Sequence, residues 1–311
     1  MVMVDKNIYS IDQMWTNTPN MSSCYLIAGD KVALFDFGPA TVIDTVLDSA
    51  KALGYEPKDI SLLICSHIHV DHAGGAGVLC ERYPHLKVLA HEKGVPHLAD
   101  PERLRQSMIK VFGQTQASEL YGNILPVPAS QLRALGYGEI IDLGKGICLK
   151  VCPTPGHAEH HLSLYDEGSR TLLAGEALGV YFPDVDVYSP STPPPEFDLA
   201  AAVNSINRLE KLEPLKVLYS HFGPAKDPQI AIHKAREMLV NWGKTVSDAM
   251  SKTDDRAQIL EKLAQEATTA VDHVSKESAD YAKYTQLMYI RATVTCGPGY
   301  IRYFKQGGQQ L

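Results

Sequence analysis

Three imidazoles and one carboxylate fall within the six residues His67-Ile68-His69-Val70-Asp71-His72, directly behind the apolar run Ile60-Ser61-Leu62-Leu63-Ile64-Cys65. Neutral imidazole nitrogen and carboxylate oxygen are the donors that borderline divalent ions such as zinc, iron and manganese accept. An extended chain has a side-chain period of two, so His67 and His69 project to one side, where one cation takes both. Asp71 and His72 are adjacent and diverge at the start of a helix or turn, which suits a neighbouring cation better than the first. Two metals are therefore expected. The following Ala73-Gly74-Gly75-Ala76-Gly77 lacks side-chain bulk, which lets backbone pack tightly beneath the donors and leaves the metal face open to a substrate. The competing reading, a polar turn with incidental histidines, does not account for four donors at this spacing.

A chain of 311 residues has room for one or two domains and a sizeable core. Hydrophobic residues at 45% and charged residues at 21% fit an ordinary globular protein and exclude a disordered one. Lys and Arg number 29 against 36 Asp and Glu, a net charge of −7 with no basic stripe, so nucleic acid is not an expected partner. The opening Met1-Val2-Met3-Val4-Asp5-Lys6 shows no secretory leader, and no apolar run spans a bilayer, so no membrane partner is expected either. The six cysteines (Cys24, Cys65, Cys80, Cys148, Cys152 and Cys296) sit in apolar surroundings that suit reduced thiols, and a cytoplasmic location follows as the default. Cys148 and Cys152 share one face of a strand, where packing is a simpler role than a redox or metal pair.

Along the chain, Asn7 to Ile11, Ser22 to Ala28 and Lys31 to Phe37 read as short strands in a compact antiparallel beginning. Thr41 to Leu53 has helical spacing and stops at Gly54; Ile60 to Cys65 is a buried strand, Gly77 to Tyr83 a helix, and Leu86 to Ala90 another strand. Residues 94–137 break this alternation, with helical turns, no clear strand and Pro126 and Pro128, and read as an inserted cap over a site. Strands resume at Ile140 to Leu143, Ile147 to Val151, Leu162 to Tyr165 and Thr171 to Ala174, so a two-sheet core is expected. The proline-rich stretch Tyr188 to Phe197 reads as a stiff surface connector, and Asp198 caps a helix with the inner stripe Leu199, Ala202, Val203, Ile206, Leu209 and Leu212. Lys216 to Ser220 gives a last strand ending at His221, and the chain from Asp227 onward is helical.

Further donors stand at the ends of these strands. His157, in Thr154-Pro155-Gly156-His157, and His221, in Tyr219-Ser220-His221-Phe222-Gly223-Pro224, are each fixed by a turn where they can converge with the first cluster. Glu176, in Leu173-Ala174-Gly175-Glu176-Ala177, is the best carboxylate for bridging two cations.

Taken together, the His67-to-His72 run, Thr154-Pro155-Gly156-His157 and the late His221 resemble the metallo-β-lactamase superfamily of hydrolases over roughly residues 20 to 225. The resemblance implies an α/β fold, a four-layer αβ/βα sandwich with the metals at one edge between two sheets. It implies a domain over residues 1–225, with 94–137 as the cap, and a helical extension over 226–311. His67, His69 and His157 would hold one metal and Asp71, His72 and His221 the other, with Glu176 bridging where members of the family usually carry aspartate. Two divalent ions are implied, zinc first, with iron and manganese as alternatives.

Such a pair, about 3.5 to 4 Å apart, lowers the pKa of a bridging water, so the implied activity is attack of metal-bound hydroxide on a small ester, lactone or thioester. Asp71 would orient the hydroxide. His160, with His161 beside it, is either a donor near the substrate or a hydrogen-bonded structural histidine. Tyr181 resembles the phenol that lactone-cleaving members offer to the substrate carbonyl; Tyr121 and Tyr137 in the cap are weaker candidates for the same task. A serine nucleophile turn and a phosphate-cradling loop are both missing from the sequence, so no nucleotide cofactor is expected. A glyoxalase II-like thioesterase also carries a helical extension, but this one shows no Arg and Lys cluster for glutathione. A di-iron redox or oxygen-activating protein, and a metal-stabilised module that binds a small molecule without turnover, are the readings from other classes. Tyr281, Tyr284, Tyr289, Tyr300, Tyr303 and Phe304 are either a homo-oligomer interface or core.

Overall fold

A computed structural model of the chain describes residues 1–310. They group into two compact units: Met1–Pro153, His160–Gly175 and Leu215–Pro224 form the first, and Thr154–Glu159, Glu176–Pro214 and Ala225–Leu311 the second. The single boundary expected at residue 225 is thus replaced by an interleaved one, because two earlier segments, 154–159 and 176–214, group with the C-terminal helices.

In the first unit, β1 (Val2–Asp5), β2 (Ile8–Asp12), β3 (Ser23–Ala28), β4 (Val32–Phe35), β5 (Ile60–Ile64), β6 (Lys87–His91) and β7 (Leu132–Leu135) lie side by side in one sheet in chain order. Pairing is antiparallel up to β4 and parallel from β4 to β7. The change follows from the connections: β4 and β5 are joined through the helix α1 (Ile43–Ala52), and a helical crossover returns the next strand in the same direction. α1 buries Ile43, Val46, Leu47 and Ala50 and is closed by Gly54 at φ +91°. After β5 come α2 (Val70–Ala73) and α3 (Ala76–Arg82), and after β6 come α4 (Val95–Ala99), α5 (Glu102–Phe112) and α6 (Gln114–Tyr121). The segment 94–137 is therefore helical as expected, except that it ends in the edge strand β7. Four residues, Leu132-Arg133-Ala134-Leu135, are too few to display an alternation, and it is pairing with β6 that makes them a strand.

A second sheet holds β8 (Ile140–Gly144), β9 (Ile147–Pro153), β10 (Leu162–Asp166) and β11 (Thr171–Gly175). The chain then leaves for the second unit, where β12 (Val180–Phe182) and β13 (Val187–Ser189) pair as a hairpin and α7 (Leu199–Glu210) follows. It returns as β14 (Lys216–Tyr219), parallel to β11, and β15 (Gly223–Pro224), giving the order β15-β14-β11-β10-β9-β8.

The core is set by alternation. Tyr25, Ile27, Phe35, Ile64 and Leu89 pack between the sheets against Leu143, Leu149, Val151, Leu164, Leu173 and Leu218. Their neighbours Leu26, Leu34, Leu63 and Val88 point the other way, onto α1 and α3. Strands covered on both faces read as unbroken apolar runs, which is how β3 to β6 appear in the sequence. Each such side chain contributes about 1.5 to 3 kcal/mol by leaving water. Cys148 and Cys152 share one face of β9, but it is the face turned from this core, so the packing role expected for them fails.

The second unit continues with α8 (Pro228–Met250), α9 (Arg256–Thr268), α10 (Ala279–Ile290) and α11 (Gly297–Lys305). Asp198, Asp227 and Asp255 accept hydrogen bonds from the first-turn amides of α7, α8 and α9. The stretch 188–197 is less superficial than its prolines suggest: Tyr188, Ser189, Pro190, Thr192 and Phe197 are buried. α11 lies across it, with Gly299 so close to the Thr192 carbonyl that a Cβ has no room. Among the described residues, no helix is long and apolar enough to cross a membrane.

Candidate metal centre

The sheet pattern persists just past β5, where the Cys65 amide donates to the Leu89 carbonyl at 2.9 Å, and then the chain turns into α2. His69, immediately before the helix, has φ −58° and ψ 147°. His67 Nε2 and His69 Nδ1 lie 2.9 Å apart, on one side of the chain as a period of two requires. Asp71 and His72 start a second group, completed by His221 after β14: the two histidine Nε2 atoms are 3.1 Å apart and each lies 3.4 Å from Asp71 Oδ2. An ion bound tetrahedrally at 2.0 to 2.1 Å separates neighbouring ligand atoms by about 3.3 Å. These three edges bracket that value, so the trio fits one divalent ion.

Proton placement supports the same conclusion. His221 Nδ1 lies 2.8 Å from the Met21 carbonyl, which can only accept, so the ring carries its proton there and turns a lone pair on Nε2 inward. His72 Nδ1 is 3.3 Å from Asp36 Oδ2, which holds the same tautomer. The two inward ring nitrogens and the Asp71 oxygen thus crowd one small space, an arrangement that a cation or a proton there makes favourable. Burial pushes the Asp71 carboxyl up, but His72 and His221 outweigh it and hold it well below the usual carboxylate range.

Asp36 was not singled out from the sequence. It sits after β4, fully buried, and accepts from the Ser66 amide (2.8 Å), the Ser66 hydroxyl (2.7 Å) and the Ser220 hydroxyl as well as facing His72. Because Ser66 gives its hydrogen to Asp36, its oxygen accepts from His67 Nδ1 at 2.8 Å, and Nε2 of that ring faces His69 Nδ1 at 2.9 Å. One carboxylate therefore orients a histidine in each group. Burial, then the Asp36 charge, pushes the Cys24 and Cys65 thiols well above their ordinary value. The available signal was a carboxylate inside the apolar Leu34-Phe35-Asp36-Phe37 run, where an unpartnered charge is not tolerated.

The glycines behind the donors act as expected. Gly38 donates to the His72 carbonyl and receives the Gly75 amide, both at 2.9 Å, and Gly77 leaves no room for a Cβ against the Leu125 carbonyl. His160 lies parallel to His67 (13°, 6.2 Å between rings) and edge-on to His69, while His161 is fully buried 5.1 Å from His67. Tyr121, at the end of α6, packs on Val70 and on Trp15 and Phe112; burial, then the charge of Asp71, pushes its phenol up. Tyr137 is exposed and bonded to His91.

In the second unit, His157 Nε2 is 3.1 Å from Glu176 Oε2. The turn before it is held by Gly156 at φ +140°, whose missing Cβ admits Ala202 of α7 and whose carbonyl accepts the Asp198 amide at 2.9 Å. His157 Nδ1 donates to the Ser191 carbonyl (3.2 Å), and the Ser191 hydroxyl donates to Glu176 Oε1 (2.7 Å). Tyr181 is not presented as the sequence reading expects: it is fully buried, stacked on Tyr188, and its hydroxyl donates to Asp186 at 2.7 Å. Burial and Asp186 push its phenol up, so it keeps its proton on that carboxylate.

Residues 17–221 match the family model of the metallo-beta-lactamase superfamily, a span that contains every donor above and ends on His221. The chain belongs to that superfamily. It is 26% identical over 238 residues to the metallo-beta-lactamase fold-containing protein ST1585 of Sulfurisphaera tokodaii, covering 75% of this chain and 85% of the relative. The crystal structure of ST1585, described as an archaeal metallo-beta-lactamase superfamily protein, superposes with a TM-score of 0.67 at 22% identity over 97% of this chain and 99% of that one. The probable metallo-hydrolase YqjP of Bacillus subtilis is 25% identical over 271 residues, 79% of this chain and 80% of the relative. An N-acyl homoserine lactonase of Bacillus thuringiensis is 26% identical over 178 residues, 54% of this chain and 57% of the relative. The α/β fold with C-terminal helices is thus that of the superfamily.

Proposed function

We propose that this chain is a metal-dependent hydrolase with a dinuclear centre, cleaving a small ester, lactone or thioester. The observation that carries the reading is the meeting of three ligand-type atoms, Asp71 Oδ2, His72 Nε2 and His221 Nε2, at tetrahedral spacing. Asp71, His72 and His221 would hold one ion, and His67, His69 and His157 the other, with Glu176 bridging; the latter assignment rests on the family's motif and on the donor types. Bound there, two divalent ions, zinc first, supply a nucleophile from water at neutral pH and polarise a carbonyl. The chain's own part is orientation. Asp71 would accept a hydrogen bond from the attacking water, His160 lies parallel to the His67 ring, and Tyr121 of α6 with Ile124 just beyond it packs on Val70, the first residue of α2. Hydrolysis of this class is supported by the names of two relatives, a probable metallo-hydrolase and an N-acyl homoserine lactonase.

The test is metal analysis of the purified protein with a panel of p-nitrophenyl esters, lactones and thioesters. Two equivalents of zinc or manganese with turnover are expected, and His69→Ala should lose bound metal and turnover while staying folded. Iron with visible absorbance and no hydrolysis would move the protein to the redox class, and full activity in His69→Ala would end the proposal.

A further inference from the structure

The segment Ser189 to Thr192 is held from two sides. On one side, Ser191 grips both donors of the second unit: its carbonyl takes the His157 Nδ1 proton and its hydroxyl occupies Glu176 Oε1. On the other, the C-terminal helices grip the segment. Arg291, where α10 ends, donates from Nε to the Ser189 hydroxyl (2.7 Å) and from Nη2 to the Pro190 carbonyl (2.6 Å). The Cys296 thiol donates to the same carbonyl (3.3 Å), and the Thr192 hydroxyl donates to the Cys296 carbonyl (3.0 Å). Gly179 and Gly299 each lie too close to the carbonyls of Ser189 and Thr192 to admit a Cβ.

We infer that Ser191 is a positioning residue for the His157–Glu176 pair, and that the C-terminal helices, through Arg291 and Cys296, fix the strap that carries it. The inference rests on the proposed metal-holding role of that pair. Its chemistry is specific. A carbonyl at Nδ1 leaves the Nε2 lone pair of His157 as the only one its ring can offer. A hydroxyl at Oε1 occupies one side of the Glu176 carboxylate and turns Oε2 to His157 Nε2, so the longer carboxylate is presented chiefly through Oε2. Where aspartate is usual, glutamate thus has its extra reach taken up by Ser191.

Zinc affinity of the purified protein, measured by chelator competition and by the cobalt(II) absorption of the substituted protein, tests this. Wild type should bind two equivalents; if it binds none, the proposed function fails first. Ser191→Ala should weaken one equivalent about 10- to 100-fold, the loss expected on removing an outer partner of a ligand, and shift its cobalt spectrum. The other equivalent, which shares only Glu176 with the first, should weaken less, and Ser191→Thr, which keeps the hydroxyl, should restore both. Thr192→Val and Arg291→Lys, at side chains bonded to Cys296 and to Ser189 and Pro190, should weaken the first equivalent about 2- to 30-fold. Wild-type affinity for both equivalents in Ser191→Ala would overturn the positioning role. An effect of Ser191→Ala with none from Thr192→Val or Arg291→Lys, both folded, would overturn the part given to the helices.

Discussion

Replacing Asp36 by asparagine separates the electrostatic role of this residue from its packing role, because the side chain keeps its shape and loses its charge and one acceptor. Two orientations of the amide are open. With the amide oxygen at the Oδ2 position, the NH2 group faces the Ser66 amide at 2.8 Å, donor against donor, leaving buried N–H groups unsatisfied at about 1 to 3 kcal/mol. With the oxygen at the Oδ1 position, the Ser66 amide is satisfied and the Ser66 and Ser220 hydroxyls can turn to accept from NH2. His72 Nδ1 then faces a donor, so its proton moves to Nε2, the nitrogen directed at Asp71 and His221. The second orientation spares the fold and should dominate without metal. The penalty reappears on binding, because His72 must give up that proton, and about 10- to 100-fold in affinity, or about 1.4 to 2.7 kcal/mol, is the expected loss. Chelator competition on Asp36→Asn, with thermal melting of the metal-free protein alongside, makes the measurement. A metal-free melt near that of wild type is expected, with the equivalent at His72 weakened most and the one at His67 also weakened, because the turned Ser66 hydroxyl no longer sets that ring. Unchanged affinity in a folded variant would refute the tautomer argument.

Other substitutions probe the frame. Burial pushes the Asp5 carboxyl up, but the Lys216 ammonium 2.6 Å away and the Thr171 hydroxyl outweigh it and hold it below its ordinary value. A depressed carboxyl adds stability above its unfolded value near 3.9 and loses it as pH falls through the lower folded value. Asp5→Asn should therefore lower the stability read from urea unfolding at pH 6 to 8, by about 1 to 3 kcal/mol, and the difference from wild type should shrink as pH falls below about 3.9. Gly156→Ala places a Cβ against Ala202 on a backbone at φ +140° and should cost more than about 2 kcal/mol in a melt, moving His157 with it. Tyr181→Phe removes the hydrogen bond to Asp186 and should cost about 1 kcal/mol in stability with kcat retained; a hundredfold fall in kcat would put the phenol at the substrate after all.

What the sequence disclosed and what it hid divide along a physical line. Elements whose periodicity is their own were legible: β5 as a buried run, α1 and α7 by their stripes, and His67 and His69 on one side by the period of two. Elements that exist through a distant partner were not. β7 is a strand because β6 is beside it, and Ser189, Pro190 and Thr192 of the proline-rich stretch are buried because Arg291 and Gly299 close over them, about a hundred residues away. The same holds within the centre. The direct donors stand in a dense motif, whereas Asp36 and Ser191, which decide how those donors are protonated, carry no local pattern.

That division bears on how the ions and the fold depend on each other. The remote ring nitrogen of His67 rests on the Ser66 hydroxyl, that of His72 on Asp36, that of His221 on the Met21 carbonyl and that of His157 on the Ser191 carbonyl. Met21 is far from His221 in the sequence, as Asp36 is from His72, so these partners are absent from an unfolded chain. The tautomers that expose the inward nitrogens are consequently a property of the folded state, and an ion that selects them binds folded protein in preference to unfolded. Each site held at 100 times its dissociation constant then adds about 2.7 kcal/mol to stability. Zinc should accordingly raise the melting temperature of wild type by more than that of Asp36→Asn, at one free metal concentration. Equal shifts in the two proteins would mean that the framework does not set the protons.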